Sequence, residues 1–193
     1  MTWTERQQQI IDESIKIIAR RGIQYLTIKH IAEAVGVSEP ALYRHFASKL
    51  EILQAILQYF EDVSMRVKPQ IECSDCSGLR KIEIFLTDRY SLFTAQPDLA
   101  KVLFNEELFM NEASLAQKIL QIMHEHREML TKALQQGQSE KEIRTDIGFN
   151  SLFQVIVGSM RLLVNRWCYS NFAFDLQAEG KQLWLDVQQM IRS

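Results

Sequence analysis

Between Leu26 and Lys49 the chain reads LTIKHIAEAVGVSEPALYRHFASK, a stretch that fits few arrangements of backbone. Thr27 is a good N-cap, and Ile28, Ile31, Ala32 and Val35 follow at helical spacing, so a short helix with one apolar face is expected. Gly36 comes next, where a helix must stop and the chain must turn. Val37 is placed to plug that corner. Ser38 then caps a second helix, Glu39 suits its N-terminal dipole, and Pro40 is tolerated in its first turn. Leu42 and Phe46, four residues apart, anchor this helix inward, which leaves Glu39, Ala41, Tyr43, Arg44 and His45 on or near the outer face. Ser48-x-x-Glu51 is a capping box opening the next helix.

A helix, a glycine turn and a second short helix make a helix-turn-helix, whose second helix enters the major groove of DNA. The plainer reading is a helical hairpin with a solvated polar face. Two features favour DNA. The outer face carries hydrogen-bonding and aromatic groups, and Lys49 sits at a helix N-terminus, where its charge opposes the dipole and a phosphate contact supplies a reason for it.

Charge is distributed accordingly. The 193 residues carry a net −2, yet residues 1–50 hold seven Lys/Arg against five acids. A mildly basic head on an acidic body suits local phosphate contact without general stickiness. Three cysteines are too few for a disulfide framework. The start, MTWTERQQQ, lacks an apolar signal core, and the longest apolar run, Val155–Val164, is interrupted by Arg161 and falls short of the ~20 residues that span a bilayer. No membrane association and a cytoplasmic location are expected.

Only three prolines and seven glycines point to an all-α chain. Thr4-x-x-Gln7 opens a first helix with Ile10, Ile11, Ile15, Ile17 and Ile18 as its buried stripe, closed by Arg20-Arg21-Gly22. The helix opened by Ser48 is expected to run to about Lys68, where Pro69 ends it. A loop follows at 70–78, then helices at about 79–94, 98–110, 113–136, 147–169 and 175–191, with breaks at Pro97 and at 137–142.

The stretch TIKHIAEAVGVSEPALYRHFASKLEIL closely resembles the DNA-binding signature of TetR-family transcriptional regulators, the match covering roughly Thr4–Leu57 and being most distinctive in LYRHFASK. The resemblance implies an N-terminal three-helix helix-turn-helix domain, residues 1–48, and a C-terminal helical effector-binding and dimerisation domain, residues 49–193. It implies that Ser38, Glu39, Pro40, Ala41, Tyr43 and His45 face DNA, with Thr27, Lys29 and Lys49 clamping phosphates. The side-chain chemistry agrees: Tyr43 and His45 donate to phosphates or base edges, Glu39 accepts from a cytosine amino group, and Ala41 touches a thymine methyl. Glu39 has a second explanation, compensation of the helix dipole.

The family dimerises through its last two long helices. Here Phe153, Ile156, Met160, Leu163, Leu183, Trp184 and Val187 are the candidates, a central core helix being the plainer reading of the first of these helices. A two-fold dimer presents two recognition helices to half-sites ~34 Å apart. For an effector, expected to be apolar or aromatic, Arg89, Tyr90, Phe104, Phe109, Met123, His126, Arg161 and Trp167 offer aromatic lining with a few polar groups, and Arg89 or Arg161 could hold an anionic end. Such residues are equally the makings of plain core.

Two tempting motifs carry less. Cys73-Ser-Asp-Cys76 is open to three readings: inert loop cysteines, a redox pair, or half a zinc site lacking its other ligands. His124-Glu125-His126 is badly spaced for a helical metal site, so one buried and one exposed histidine is expected. No metal, cofactor or catalytic set is indicated. The resulting expectation is a ligand-responsive repressor that binds a palindromic operator as a homodimer; the alternative is a helical small-molecule-binding or scaffold protein that never touches DNA.

Overall fold

The computed structural model describes residues 3–72, 75–105 and 107–193. In chain order its α-helices are α1 (Glu5–Arg21), α2 (Ile28–Val35), α3 (Glu39–Tyr43), α4 (Lys49–Ser64), α5 (Lys68–Ile71), α6 (Gly78–Ala95), α7 (Pro97–Leu103), α8 (Glu107–Met110), α9 (Ala113–Ser139), α10 (Phe149–Tyr169) and α11 (Leu176–Ile191). Among the described residues, the one extended pairing is an isolated bridge between Ile143 and Arg192. Packing divides the chain into two compact units. One comprises the residues up to Val63 with Asp98–Leu120; the other comprises Ser64–Pro97 with Gln121–Ser193.

In the first unit, Thr4 caps α1 through a complete capping box with Gln7. Ile10, Ile11, Ile15 and Ile18 are buried, while Ile17 sits half-buried at the edge of the stripe. Gly22 closes the helix at φ 85°. A 3₁₀ turn, Ile23–Tyr25, leads to α2, and Leu26, Ile31, Val35, Leu42 and Phe46 join the isoleucines in one core. Burying each such side chain is worth about 1.5–3 kcal/mol. That is how a head built on a five-residue third helix keeps its shape.

Helix α4 adds Ile52, Leu53, Ile56 and Leu57 to this unit's buried residues. Packing thus groups Lys49–Val63 with the first unit. Lys118 on α9 forms an ion pair with Glu61 at 2.6 Å.

Three helix limits differ from expectation. Pro69 does not end a helix: α4 stops at Ser64, a 3₁₀ turn covers Met65–Val67, and Pro69 lies in the first turn of α5. A proline is harmless there because first-turn N–H groups have no helical partner. The segment expected as one helix over 98–110 breaks after Leu103 into α7 and α8. Gly137 does not stop α9 but lies inside it, buried; a Cβ added to Gly78 would come within 2.3 Å of its backbone nitrogen. These glycines therefore mark a close backbone approach.

In the second unit, α11 packs on both α6 and α10. Gly180 permits the first contact, since a Cβ there would lie 2.4 Å from the Tyr90 ring. Among the described residues no helix is long and apolar enough to cross a membrane.

Candidate functional site

Local chemistry builds the recognition surface. Thr27 caps α2, its hydroxyl accepting from the His30 N–H at 3.2 Å. Gly36 takes the left-handed conformation, φ 75° and ψ 38°, and Val37 N–H returns to the Ala32 carbonyl at 2.9 Å, which closes the corner. At α3, Ser38 occupies the N-cap position without a side-chain cap bond, contrary to the expectation that it caps. The reason is local: Pro40 removes one N–H that a cap hydroxyl would take, and Ala41 N–H already bonds the Ser38 carbonyl at 3.0 Å. The Ser38 hydroxyl is left facing out.

Leu42 and Phe46 are buried beneath α3, and the Trp3 ring lies 6.4 Å from that of Phe46. Outward stand Ser38, Glu39, Pro40, Tyr43 and Arg44, all exposed, with Ala41 and His45 half-buried on the flanks. Thr27 and Lys29 are exposed on α2, and Lys49 is half-buried at the start of α4. The side chains expected to face DNA are thus exposed or half-buried, those of α3 on a helix fastened from beneath by Leu42 and Phe46. Lys49 also has a structural duty, since its ammonium donates to the Ile23 carbonyl at 3.1 Å, and burial lowers its pKa. At the next helix start, Ser48 accepts from Glu51 N–H at 3.1 Å, while Glu51 reaches back to Ala47 N–H in place of Ser48's own.

The expected effector residues fall in both units. Phe104 and Phe109 belong to the first; Arg89, Tyr90, Met123, His126, Arg161 and Trp167 belong to the second. Met123 is 44% exposed on α9, one position past buried Ile122. Trp167 donates from Nε1 to the Phe174 carbonyl at 3.0 Å, a structural bond at the α10–α11 turn. Tyr90 faces Gly180, and burial pushes its hydroxyl up to about 12. Arg161 is half-buried on α10.

What the second unit does bring together is a polar cluster: Arg89, Asp88, His126 and Ser64. Arg89 is only 2% exposed. Its Nη2 donates to the Ser64 carbonyl, and Asp88 Oδ2 lies 2.7 Å away as an ion-pair partner without a well-formed hydrogen bond. Among the described residues its Nε and Nη1 have no hydrogen-bond partner. An unmade bond of this kind costs about 1–3 kcal/mol, and more for a charged group. Burial lowers the Arg89 pKa to about 10, partly opposed by Asp88, whose own carboxyl is raised by burial. His126 Nε2 sits 3.2 Å from the Ser64 hydroxyl with its ring edge-on to Phe85 at 5.6 Å. Burial first, and Arg89 second, hold His126 down to about 3, so it is neutral. His124 is exposed, 3.4 Å from Glu128, and His126 is half-buried, so the two differ in the expected direction without a fully buried member. Ser64 was missed in the sequence; its signal was a small polar residue seven places after Leu57, on the buried side of α4.

Of the expected dimer residues, Ile156, Met160, Leu163, Trp184 and Val187 are buried by the chain's own core, and Phe153 and Leu183 are half-buried. Facing two helices at once, α11 draws its large residues inward. The apolar side chains left outside on these helices are Val155, Leu162 and Tyr169, spaced by seven along α10, with Leu185 and Met190 on α11. Cys76 is a free thiol, and Cys73 lies outside the described residues. Among the described residues no group of three or more His, Cys, Asp or Glu side chains could hold a metal.

This geometry has counterparts. Nucleoid occlusion factor SlmA of Haemophilus influenzae is 24% identical over 192 residues, covering 97% of this chain and 86% of the relative. The solved structure of the fatty acid degradation regulator FadR from Bacillus halodurans superposes with a TM-score of 0.86 at 21% identity, covering 97% of each chain. The transcriptional regulator FadR from Bacillus subtilis, solved in complex with stearoyl-CoA, gives 0.83 at 24% identity, covering 95% of this chain and 98% of that one. The family description for bacterial regulatory proteins of the tetR family matches residues 10–56, and that for the C-terminal region of YsiA-like protein matches residues 54–188. With the helix-turn-helix and the helical body both accounted for, the chain belongs to the TetR family of DNA-binding transcriptional regulators.

Proposed function

We propose that this protein is a repressor that binds a palindromic operator as a homodimer in the cytoplasm and releases it when an acyl-bearing small molecule binds the body. One observation carries the DNA half: the outward side of α3 presents Ser38, Glu39, Pro40 and Tyr43 above a helix anchored by buried Leu42 and Phe46. Ala41 and His45 read the flanks of the site, and Thr27, Lys29 and Lys49 hold phosphates. The DNA-binding module is residues 1–48, and α4 begins the effector-binding and dimerisation part.

The exposed row of Val155, Leu162 and Tyr169, with Leu185 and Met190, is the surface offered to a second copy. Apolar side chains at this spacing on one helix suit a helix-to-helix seam. The acyl reading is supported by the likeness to a FadR solved with stearoyl-CoA and by the apolar surroundings of Arg89. Selection from random duplex DNA tests the whole. Enrichment of a two-fold palindrome, bound by a dimer and released by stearoyl-CoA but not by CoA, is the expected result. Absence of any enriched sequence would return the chain to the DNA-free alternative.

A further inference from the structure

Arg89 is the only charged side chain buried among the described residues. A guanidinium carries five N–H donors. Two belong to Nη2, which serves the Ser64 carbonyl and faces Asp88; among the described residues the three on Nε and Nη1 meet no acceptor. Native interiors leave few such groups idle, and each calls for an explanation. The Phe85 ring lies 5.1 Å from the guanidinium carbon, in a T-shaped pairing with His126. Asp88 is itself committed to the Nη2 side.

The position of the Ser64 carbonyl gives the cluster a second meaning. Ser64 is the last residue of α4, where the chain leaves the α-helix for a 3₁₀ turn. A backbone carbonyl has two lone pairs, so one at a helix end can take an outside donor beside its backbone partner. Arg89 is such a donor, so the idle guanidinium and the end of α4 are joined through one side chain. The same helix starts with Lys49, directly after the recognition segment.

We propose that Arg89 is the effector-reading residue: an acyl oxygen of the ligand docks on its Nε and Nη1, and the resulting shift of the guanidinium slackens its hold on the Ser64 carbonyl and so on the C-terminal end of α4. This deepens the repressor-and-effector reading above and rests on it. The shared chemistry is the acyl oxygen, carried either by a free fatty carboxylate or by a thioester.

The experiment uses the full chain and its selected operator. Dissociation of the complex is titrated with stearoyl-CoA, stearate and octadecane for wild type, Arg89→Met and Arg89→Lys. Wild type is expected to release DNA with stearoyl-CoA or with stearate, whichever source is correct, and not with octadecane. Arg89→Met, which gives up both the docking donors and the bond to the Ser64 carbonyl, is expected to bind operator at least threefold more weakly without ligand and to need at least tenfold more ligand for any further release. Arg89→Lys, which keeps the charge with fewer donors, falls between them and decides the matter if the methionine variant does not fold. Unchanged release by both variants, or release by octadecane alone, overturns the proposal, as does wild type that holds its operator against both acyl probes. Failure of wild type to bind any operator sinks the broader reading instead.

Discussion

The Lys49 ammonium stands 3.1 Å from the carbonyl oxygen of Ile23, tying the first turn of α4 to the 3₁₀ turn after α1. An ammonium has three donors, so this bond leaves others for a phosphate. Lys49→Met should therefore do two things. Thermal or denaturant unfolding should show a loss of about 1 kcal/mol. Operator titrations over a range of salt should show weaker binding to all sequences and a salt slope reduced by about 1. A variant that loses stability alone would make Lys49 purely structural.

Ser38 and Tyr43 carry the opposite expectation, function without stability. Ser38 makes no cap bond and Tyr43 is half exposed. Ser38→Ala should change folding stability by less than about 0.5 kcal/mol, unlike an ordinary N-cap loss. Tyr43→Ala should abolish specific gel-shift binding, a penalty of about 1–3 kcal/mol or more, while the protein stays a folded dimer. Undiminished affinity in either titration would remove that side chain from the interface.

Leu162 is 71% exposed in the middle of α10. Leu162→Asp should leave the circular dichroism spectrum and unfolding midpoint of the chain near those of a wild-type protomer. It should convert dimer to monomer in sedimentation velocity, and operator affinity should fall with it, since a two-fold site needs both heads. A persistent dimer would place the seam elsewhere.

His126 gives a pH dependence of known sign. Its folded pKa is near 3, below the ordinary value of 6.5, so the unfolded chain binds the proton more readily. Stability from this group is complete above about pH 6.5 and is lost as pH falls towards 3, at no more than about 1.4 kcal/mol per pH unit. His126→Phe should flatten the denaturation profile between pH 6 and 4. An equally steep profile in the variant would assign the slope to other groups.

Gly78 approaches the backbone of Gly137 and the Ala133 carbonyl, where an added Cβ would meet atoms at 2.3 and 2.5 Å. Backbone cannot swing aside as a side chain does. Gly78→Ala should cost about 1–3 kcal/mol in chemical denaturation, despite the better helix propensity of alanine. A neutral result would mean that α6 and α9 can part without loss.

The head was legible because its determinants are local. Thr27, Gly36, Leu42 and Phe46 act through spacing and backbone conformation, and each sits as read. Ser38 departs because the consequence of Pro40 for a cap hydroxyl depends on which N–H groups remain. The body was less legible for a physical reason. An apolar residue on a long helix can face its own core, a ligand or another chain, and periodicity does not separate the three. Trp184 and Met160 went to the core, whereas Leu162 and Tyr169 stayed outside. Arg89, singled out in the sequence as a candidate to hold an anionic end, lies on the buried stripe of Ile82, Phe85 and Phe93.

The Gly78–Gly137 clasp bears on how the body can move. Two backbones in direct touch leave no room for α6 and α9 to approach further at that end, so a tilt of α6 would be felt most at its other end. Helix α6 has 18 residues and rises about 1.5 Å per residue, so its far end lies roughly 27 Å away. A tilt of about 5° at the clasp displaces that end by roughly 2 Å, a lever arm that turns a small adjustment into a side-chain-sized step.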